Sequence, residues 1–295
     1  MPEQLKFKVE PEYDDMQAKR YLKQVHGLSA RLITRLKNTL NGILMDGELL
    51  RAVDNVKSGS TITINLPQER LSEYIEPVKG ELDIVFEDEF LLAVNKPPFM
   101  PVHPVKQHQT DTLANIVTYY AESRGESYVF RAHNRLDRDT SGIVLIAKDK
   151  FTINKLKNNV SKTYFALVHG RIDKPGTVTK PIDLREDSKM VRQVTEHGTP
   201  AVTHYKPICC NDNASFLSLK LETGKTHQIR CHMSYLGHPL VGDDLYGGDR
   251  EYINRQALHC GIVEFIHPVT NKKITLKTDL PEDINSALRA YKLKI

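Results

Sequence analysis

Residues 131–142 read Arg-Ala-His-Asn-Arg-Leu-Asp-Arg-Asp-Thr-Ser-Gly, and from Arg135 to Asp139 four ionisable side chains alternate in sign just ahead of an apolar run. A surface loop laced by ion pairs is the ordinary explanation, because exposed pairs are common and contribute little. A loop leading into a strand is also where a rigid scaffold can hold a reactive carboxylate. Asp137, between Arg135 and Arg138, can be kept ionised there, and an ionised carboxylate can act as a nucleophile. Further on, residues 162–170 alternate as a strand, with Lys162, Tyr164 and Ala166 on one face. A tyrosine in a strand is more often packing than chemistry. Residues 223–232 read Thr-Gly-Lys-Thr-His-Gln-Ile-Arg-Cys-His and lead into a helix. His227 and His232 have no third ligand at a coherent spacing, so no metal is expected. Gly224-Lys225-Thr226 lacks an upstream glycine-rich loop and no G-x-G-x-x-G follows a strand, which excludes the common nucleotide-phosphate sites.

Taken in order, these segments resemble the signatures of the RluA/RluD-type RNA pseudouridine synthases. Residues 134–142 are similar to the family's His-Arg-Leu-Asp-x-x-Thr-Ser-Gly, with Asn134 in place of histidine. Residues 162–170 are similar to Lys-x-Tyr-x-Ala-x-Val-x-Gly, and residues 223–232 to Thr-Gly-Arg-Thr-His-Gln-Ile-Arg-x-His, with Lys225 at the first arginine. Asn95-Lys96-Pro97-Pro98 with Pro101-Val102-His103-Pro104, residues 237–243, and Tyr246-Gly247 also fall in family order; His103 is given no chemical role. The resemblance implies an isomerase without a cofactor. A uridine is turned out of the RNA stack, which costs a few kcal/mol. Asp137 then attacks the ribose anomeric carbon or promotes loss of uracil to leave a glycal-like sugar, and the base rejoins through carbon 5. Asp137, Tyr164 and Arg230 are the implied catalytic residues, with Tyr164 stacked on the base and sharing in proton removal, and Arg230 paired with Asp137. Arg135, Asn134, Lys162, Lys225, His227 and Gln228 are the implied substrate contacts.

The elements that must position these residues follow from periodicity and turn chemistry. Strands are expected over 84–86, 92–95, 143–147, 163–168, 202–208, 215–222, 261–265 and 273–277, and helices over 112–123, 150–157, 227–235 and 281–292. That order lacks strict strand-helix alternation, so the expected fold is α+β, a mainly antiparallel mixed sheet with flanking helices over residues 81–295. A small α+β module is expected over residues 8–68, joined by a polar linker over 69–80. Its helices run over 14–24 and 30–41 and its strands over 43–45 and 61–66. Ser29 caps the second helix, which carries a stripe of Leu32, Leu36 and Leu40. Arg31, Arg35 and Lys37 are candidates for RNA backbone contact, since charge of this kind positions a nucleic acid without reading it. This stretch resembles, loosely, the small RNA-binding domain of the ribosomal protein S-four type, through Ser29-Ala30-Arg31, Gly42, Met45-Asp46-Gly47 and Gly59-Ser60-Thr61-Ile62.

Composition sets the outer limits. With 295 residues, 40% apolar and 26% charged, the chain has the make-up of a globular protein and lacks a membrane-length apolar run. Its start shows no export signal, so the cytoplasm is the expected compartment. Four cysteines, Cys209, Cys210, Cys231 and Cys260, form neither a zinc spacing nor a disulfide framework. The net charge of +4 suits an anionic partner. That partner is expected to be structured RNA, ribosomal ahead of transfer RNA, with no membrane and no obligate protein partner. The alternative of a different class is a non-catalytic RNA-binding or ribosome-assembly protein, against which the joint presence of Asp137, Tyr164 and Arg230 argues. A water-activating glycosidase would need paired carboxylates, and Asp139 is no such second acid.

Overall fold

The computed structural model of the chain describes residues 4–66, 75–126 and 129–294. The first part is built from β1 (Gln4–Lys8), α1 (Ala18–Gln24), α2 (Ala30–Lys37), β2 (Ile43–Met45), β3 (Glu48–Leu49) and β4 (Thr61–Asn65). Its strands form one antiparallel sheet in the order β1-β4-β2-β3. Leu5 and Phe7 alternate inward on β1 and Ile62 and Ile64 on β4, meeting Tyr21, Leu22, Ile33 and Leu36 from the helices. Ser29 does cap α2, accepting from Leu32 N at 3.1 Å. The expected leucine stripe is corrected. The helix ends at Lys37, so Leu40 lies beyond it at 91% exposure, and Ile33 takes the buried position beside Leu36. Phe151, from the following region, is buried in this same core.

The second part runs through β5 (Ile84–Glu87), β6 (Leu91–Lys96), α3 (Leu113–Ser123), β7 (Ser141–Ala147), α4 (Lys150–Leu156), β8 (Val160–His169), β9 (Gly176–Val178), β10 (Ile182–Leu184), β11 (Arg192–Val194), β12 (Thr203–Cys210), β13 (Ala214–Leu221), α5 (Gln228–Tyr235), β14 (Leu258–Ile266), β15 (Lys273–Lys277) and α6 (Glu282–Ala290). Nine of these strands make one mixed sheet, β5-β6-β7-β14-β8-β13-β12-β9, with β15 added along β14. Every pairing is antiparallel except β7 with β14, so the expected α+β class with a mainly antiparallel sheet holds. β7 reads Ser-Gly-Ile-Val-Leu-Ile-Ala, is buried at all seven positions and lies at the centre of the core. β10 and β11 form a separate hairpin.

Of the expected linker, residues 69–74 lie outside the described residues. Residues 75–80 are pinned to α3: Val78 N donates to Asn115 O at 3.1 Å, and Asn115 Nδ2 donates to Glu76 O at 2.7 Å. No helix among the described residues is long and apolar enough to cross a membrane.

Three imidazoles sit deep enough to resist protonation. His26, stacked on Phe7 with ring centroids 3.8 Å apart, His133 and His259 are each pushed down to about 4 by burial. Between that value and 6.5 the unfolded chain holds protons that the folded chain does not, so stability rises with pH across the window and is lost as pH falls through it. Urea-denaturation midpoints should therefore drop between about pH 6.5 and pH 4. His259→Gln should flatten that slope by up to about 1.4 kcal/mol per pH unit, one proton's worth. A pH slope identical to that of the parent would show that His259 is not held neutral.

Candidate active site

Residues 131–134 run back along β7 before the chain turns into it. His133 N donates to Leu145 O at 2.7 Å, and Asn134 makes a two-way contact with the strand, donating to Ile143 O and accepting from Leu145 N, both at 2.9 Å. The turn that follows carries Asp137, and Thr140 N closes it on Asp137 O at 3.1 Å. Gly142, at φ +118°, is where the turn becomes strand; a Cβ there would lie 2.4 Å from Cys260 O on β14. Only glycine allows β7 and β14 to approach this closely at such a backbone angle.

Two buried cations grip successive carbonyls of the turn. Lys96, with no exposed surface, donates to Arg138 O at 3.0 Å and to Pro97 O and Met100 O at 2.8 Å. Burial pushes its pKa down to about 7, with Arg255 adding to the shift and Asp139 and Asp137 opposing it. Arg255, equally buried at its side chain, donates to Asp139 O at 3.1 Å and is itself held by both Asp283 oxygens, at 2.6 and 2.8 Å. Gln256 Nε2 donates to Thr140 Oγ1 at 3.2 Å. Asp137 is thus fixed by its backbone neighbours while its side chain stays 21% exposed.

The charges around Asp137 differ from those expected. Arg138 pairs with Asp139 at 2.7 Å and Arg135 is exposed, so neither flanking arginine holds the carboxylate. Arg230, on α5, does approach Asp137 Oδ2 with Nη1 at 3.3 Å. Its stronger partner is Asp243, to which Nε and Nη2 donate at 2.6 and 2.7 Å in a two-pronged pair. Burial works against the Arg230 charge, but the hydrogen bonds and charge of Asp243, together with Asp137, outweigh it and raise its pKa above the usual range. The Arg230 guanidinium also lies 5.0 Å from the ring centre of Tyr246.

His227 completes the surroundings. It takes the left-handed conformation at φ 56°, just before α5, and sets Nε2 3.8 Å from Asp137 Oδ2 and Nδ1 3.0 Å from the Tyr246 hydroxyl. Burial lowers its pKa, with Asp137 pulling the other way. Both neighbours of Asp137 therefore crowd Oδ2.

Tyr164, on β8, is 7% exposed and pairs across the sheet with Cys260. Burial, with Cys260 and Asp137 adding to it, raises its phenol well above the ordinary value. The expected substrate contacts divide. Asn134 and Gln228 both bond the protein itself. Asn134 is spent on β7, and Gln228, 2% exposed, accepts from Thr223 Oγ1 and Lys225 N and donates to Val202 O and Thr203 Oγ1. Their amides shape the turn and the loop ahead of α5. Lys162 is lowered in pKa by burial, and its charge acts on Cys260 and His133. Lys225 and His227 are half-buried. His232 bonds Thr203 Oγ1 and Lys180 O, and no cluster able to hold a metal occurs among the described residues. Asp243, Tyr246, Lys96, Arg255 and Gln256 are the neighbours that sequence reasoning left without roles.

A family model described as RNA pseudouridylate synthase matches residues 90–235. The Bacillus subtilis (strain 168) protein named "Uncharacterized RNA pseudouridine synthase YjbO" is 41% identical over 269 residues, covering 89% of this chain and 95% of that protein. The Pseudomonas aeruginosa ribosomal large subunit pseudouridine synthase D is 36% identical over 261 residues, covering 82% and 81%. Among solved structures, human RNA pseudouridylate synthase domain containing 4 superposes with a TM-score of 0.57 at 24% identity, covering 72% of this chain and 94% of that one, a likeness of fold.

Proposed function

We infer the reaction from one premise: the chain belongs to the RluA/RluD-type family of RNA pseudouridine synthases. It is an enzyme that isomerises uridine to pseudouridine in RNA. We propose ribosomal RNA as its substrate, on the strength of its likeness to a ribosomal large subunit enzyme. The exposed Arg31, Arg35 and Lys37 of α2 would hold RNA phosphates away from the cleft, in a module that plays the part of an S-four-type domain. Four unpaired thiols suit a reducing compartment such as the cytoplasm.

The observation that carries the site assignment is the asymmetry at Asp137. Arg230 and His227 both approach Oδ2, which leaves Oδ1 for the sugar. In this reading Asp137 meets the anomeric carbon of a displaced uridine, either by bonding to it or by drawing off the neighbouring proton as a glycal forms. The freed uracil turns and its carbon 5 joins the anomeric carbon, either as the bond to Asp137 breaks or as Asp137 returns its proton to the neighbouring sugar carbon, and the carbon-5 proton then leaves. Tyr164 supplies a face for the base. Its phenol rests protonated, so it takes up the carbon-5 proton only as its own proton moves on. Arg135 and Lys225 are proposed to meet the RNA around the base, and Lys162 to support the site through Cys260.

Site-resolved pseudouridine mapping of ribosomal and transfer RNA, from cells with and without the protein and after rescue by the parent or Asp137→Asn, tests this reading. One or more ribosomal positions should lose their signal and regain it only with the parent. A transfer RNA signal would overturn the substrate and keep the chemistry; rescue by Asp137→Asn would overturn the site.

A further inference from the structure

The buried arginines of the cleft answer to carboxylates: Arg230 to Asp243 and Asp137, and Arg255 to Asp283. Arg192 does not. It opens β11, and its backbone N–H donates to the Tyr246 hydroxyl at 2.8 Å, the same oxygen that meets His227 at 3.0 Å. Two hydrogen bonds and an imidazole ring thus link its backbone to Asp137. Its side-chain Nε is buried with no hydrogen-bond partner, and its guanidinium forms no ion pair among the described residues. Its charge nevertheless reaches His227.

A guanidinium nitrogen shut away from water and left without an acceptor is costly unless something that binds there supplies one. We propose that Arg192 is a substrate-binding residue that takes a phosphate oxygen of the RNA backbone next to the displaced uridine. The proposal rests on the reading that this cleft binds RNA. A ribose placed with its anomeric carbon at Asp137 brings a phosphate on either side of it, and a planar guanidinium fork matches phosphate geometry. Asp137 and Asp243 are already engaged by Arg230. The β10–β11 hairpin suits such a contact, since it lies outside the nine-stranded sheet and exposes Met190 and Leu184 beside the arginine.

The test is filter binding by the full-length protein, across a salt series, to an unmodified stem-loop oligoribonucleotide cut from the region whose pseudouridine depends on it. Removing one cation that neutralises a phosphate makes the plot of log affinity against log salt shallower by about 0.7 to 0.9. Arg192→Gln should lose roughly one such unit and bind about tenfold more weakly at low salt. Arg192→Lys should keep the parent's slope, which separates loss of charge from damage to the hairpin. An unchanged slope for Arg192→Gln, whatever its affinity, overturns the phosphate contact, as does an equal flattening in Arg192→Lys. Should no RNA region depend on the protein, the isomerase reading has failed, and the same slopes measured on polyuridylate still decide the Arg192 contact.

Discussion

Asp137→Asn should abolish product formation while leaving a folded, RNA-binding protein. The carboxamide has the carboxylate's shape, so the clamps on either side of it, Lys96 on Arg138 O and Arg255 on Asp139 O, are undisturbed. Arg230 keeps its two-pronged bond to Asp243, so no buried charge is stranded. What disappears is the negative charge proposed to meet the sugar. Loss of a reacting group typically lowers kcat by on the order of 10⁴-fold or more. Pseudouridine formation in a purified transcript should fall by at least that factor, with the melting temperature within about 2 °C of the parent, since no mechanism for a large stability change is present. Turnover within tenfold of the parent would remove Asp137 from the chemistry.

Arg230→Ala should injure both activity and stability, through two different partners. Asp243, 1% exposed at its side chain, would be left buried without a counter-charge. Breaking a buried pair from one side costs about 3–5 kcal/mol, which for a chain of this size lowers the melting temperature by roughly 6–15 °C. Asp137 would lose its nearest cation at the same time, and turnover should fall by about 10²-fold or more, the scale of deleting one preorganised donor. Adding Asp243→Asn to Arg230→Ala should restore much of the stability by removing the stranded charge, with turnover still low. Calorimetry and single-turnover assays on the three proteins separate the effects. A normal rate in Arg230→Ala would break the assigned link to Asp137, and a double variant no more stable than the single would break the assigned link to Asp243.

How much of this is legible in the sequence depends on range. β15 falls where alternation places it, over Lys273–Lys277, and α3 begins one residue after the expected start because Thr112 caps it together with Asn115. Short strands escape: β9, β10 and β11 are three residues each and carry too little alternation to stand out from loop. β1 escapes as well although Leu5 and Phe7 alternate cleanly, and its partner β4 lies between about fifty and sixty residues away, beyond any local pattern. Leu40 follows the helical spacing but not the helix, which stops at Lys37. At the site, Asp137 and Arg230 can be found through motif resemblance. Asp243 cannot be given its part, since a bond spanning thirteen residues between a helix and a loop leaves no periodic trace. The same holds for Arg255, whose grip on Asp139 O spans 116 residues. Arg138 misleads, because adjacency in sequence suggests a partner for Asp137 where geometry gives it to Asp139.

Arg230 lies between two carboxylates, and this sharing has an electrostatic result. Asp137, Asp243 and Arg230 together carry one net negative charge, in a cluster largely withdrawn from water. As a glycosidic bond breaks, the sugar gathers positive charge at its anomeric carbon and ring oxygen, as in other glycosyl transfers. A neutral ion pair would greet that sugar with indifference. The surplus charge here is in place before any bond begins to stretch and needs no solvent to rearrange, so in the proposed reaction it would favour the cationic sugar over the intact nucleotide.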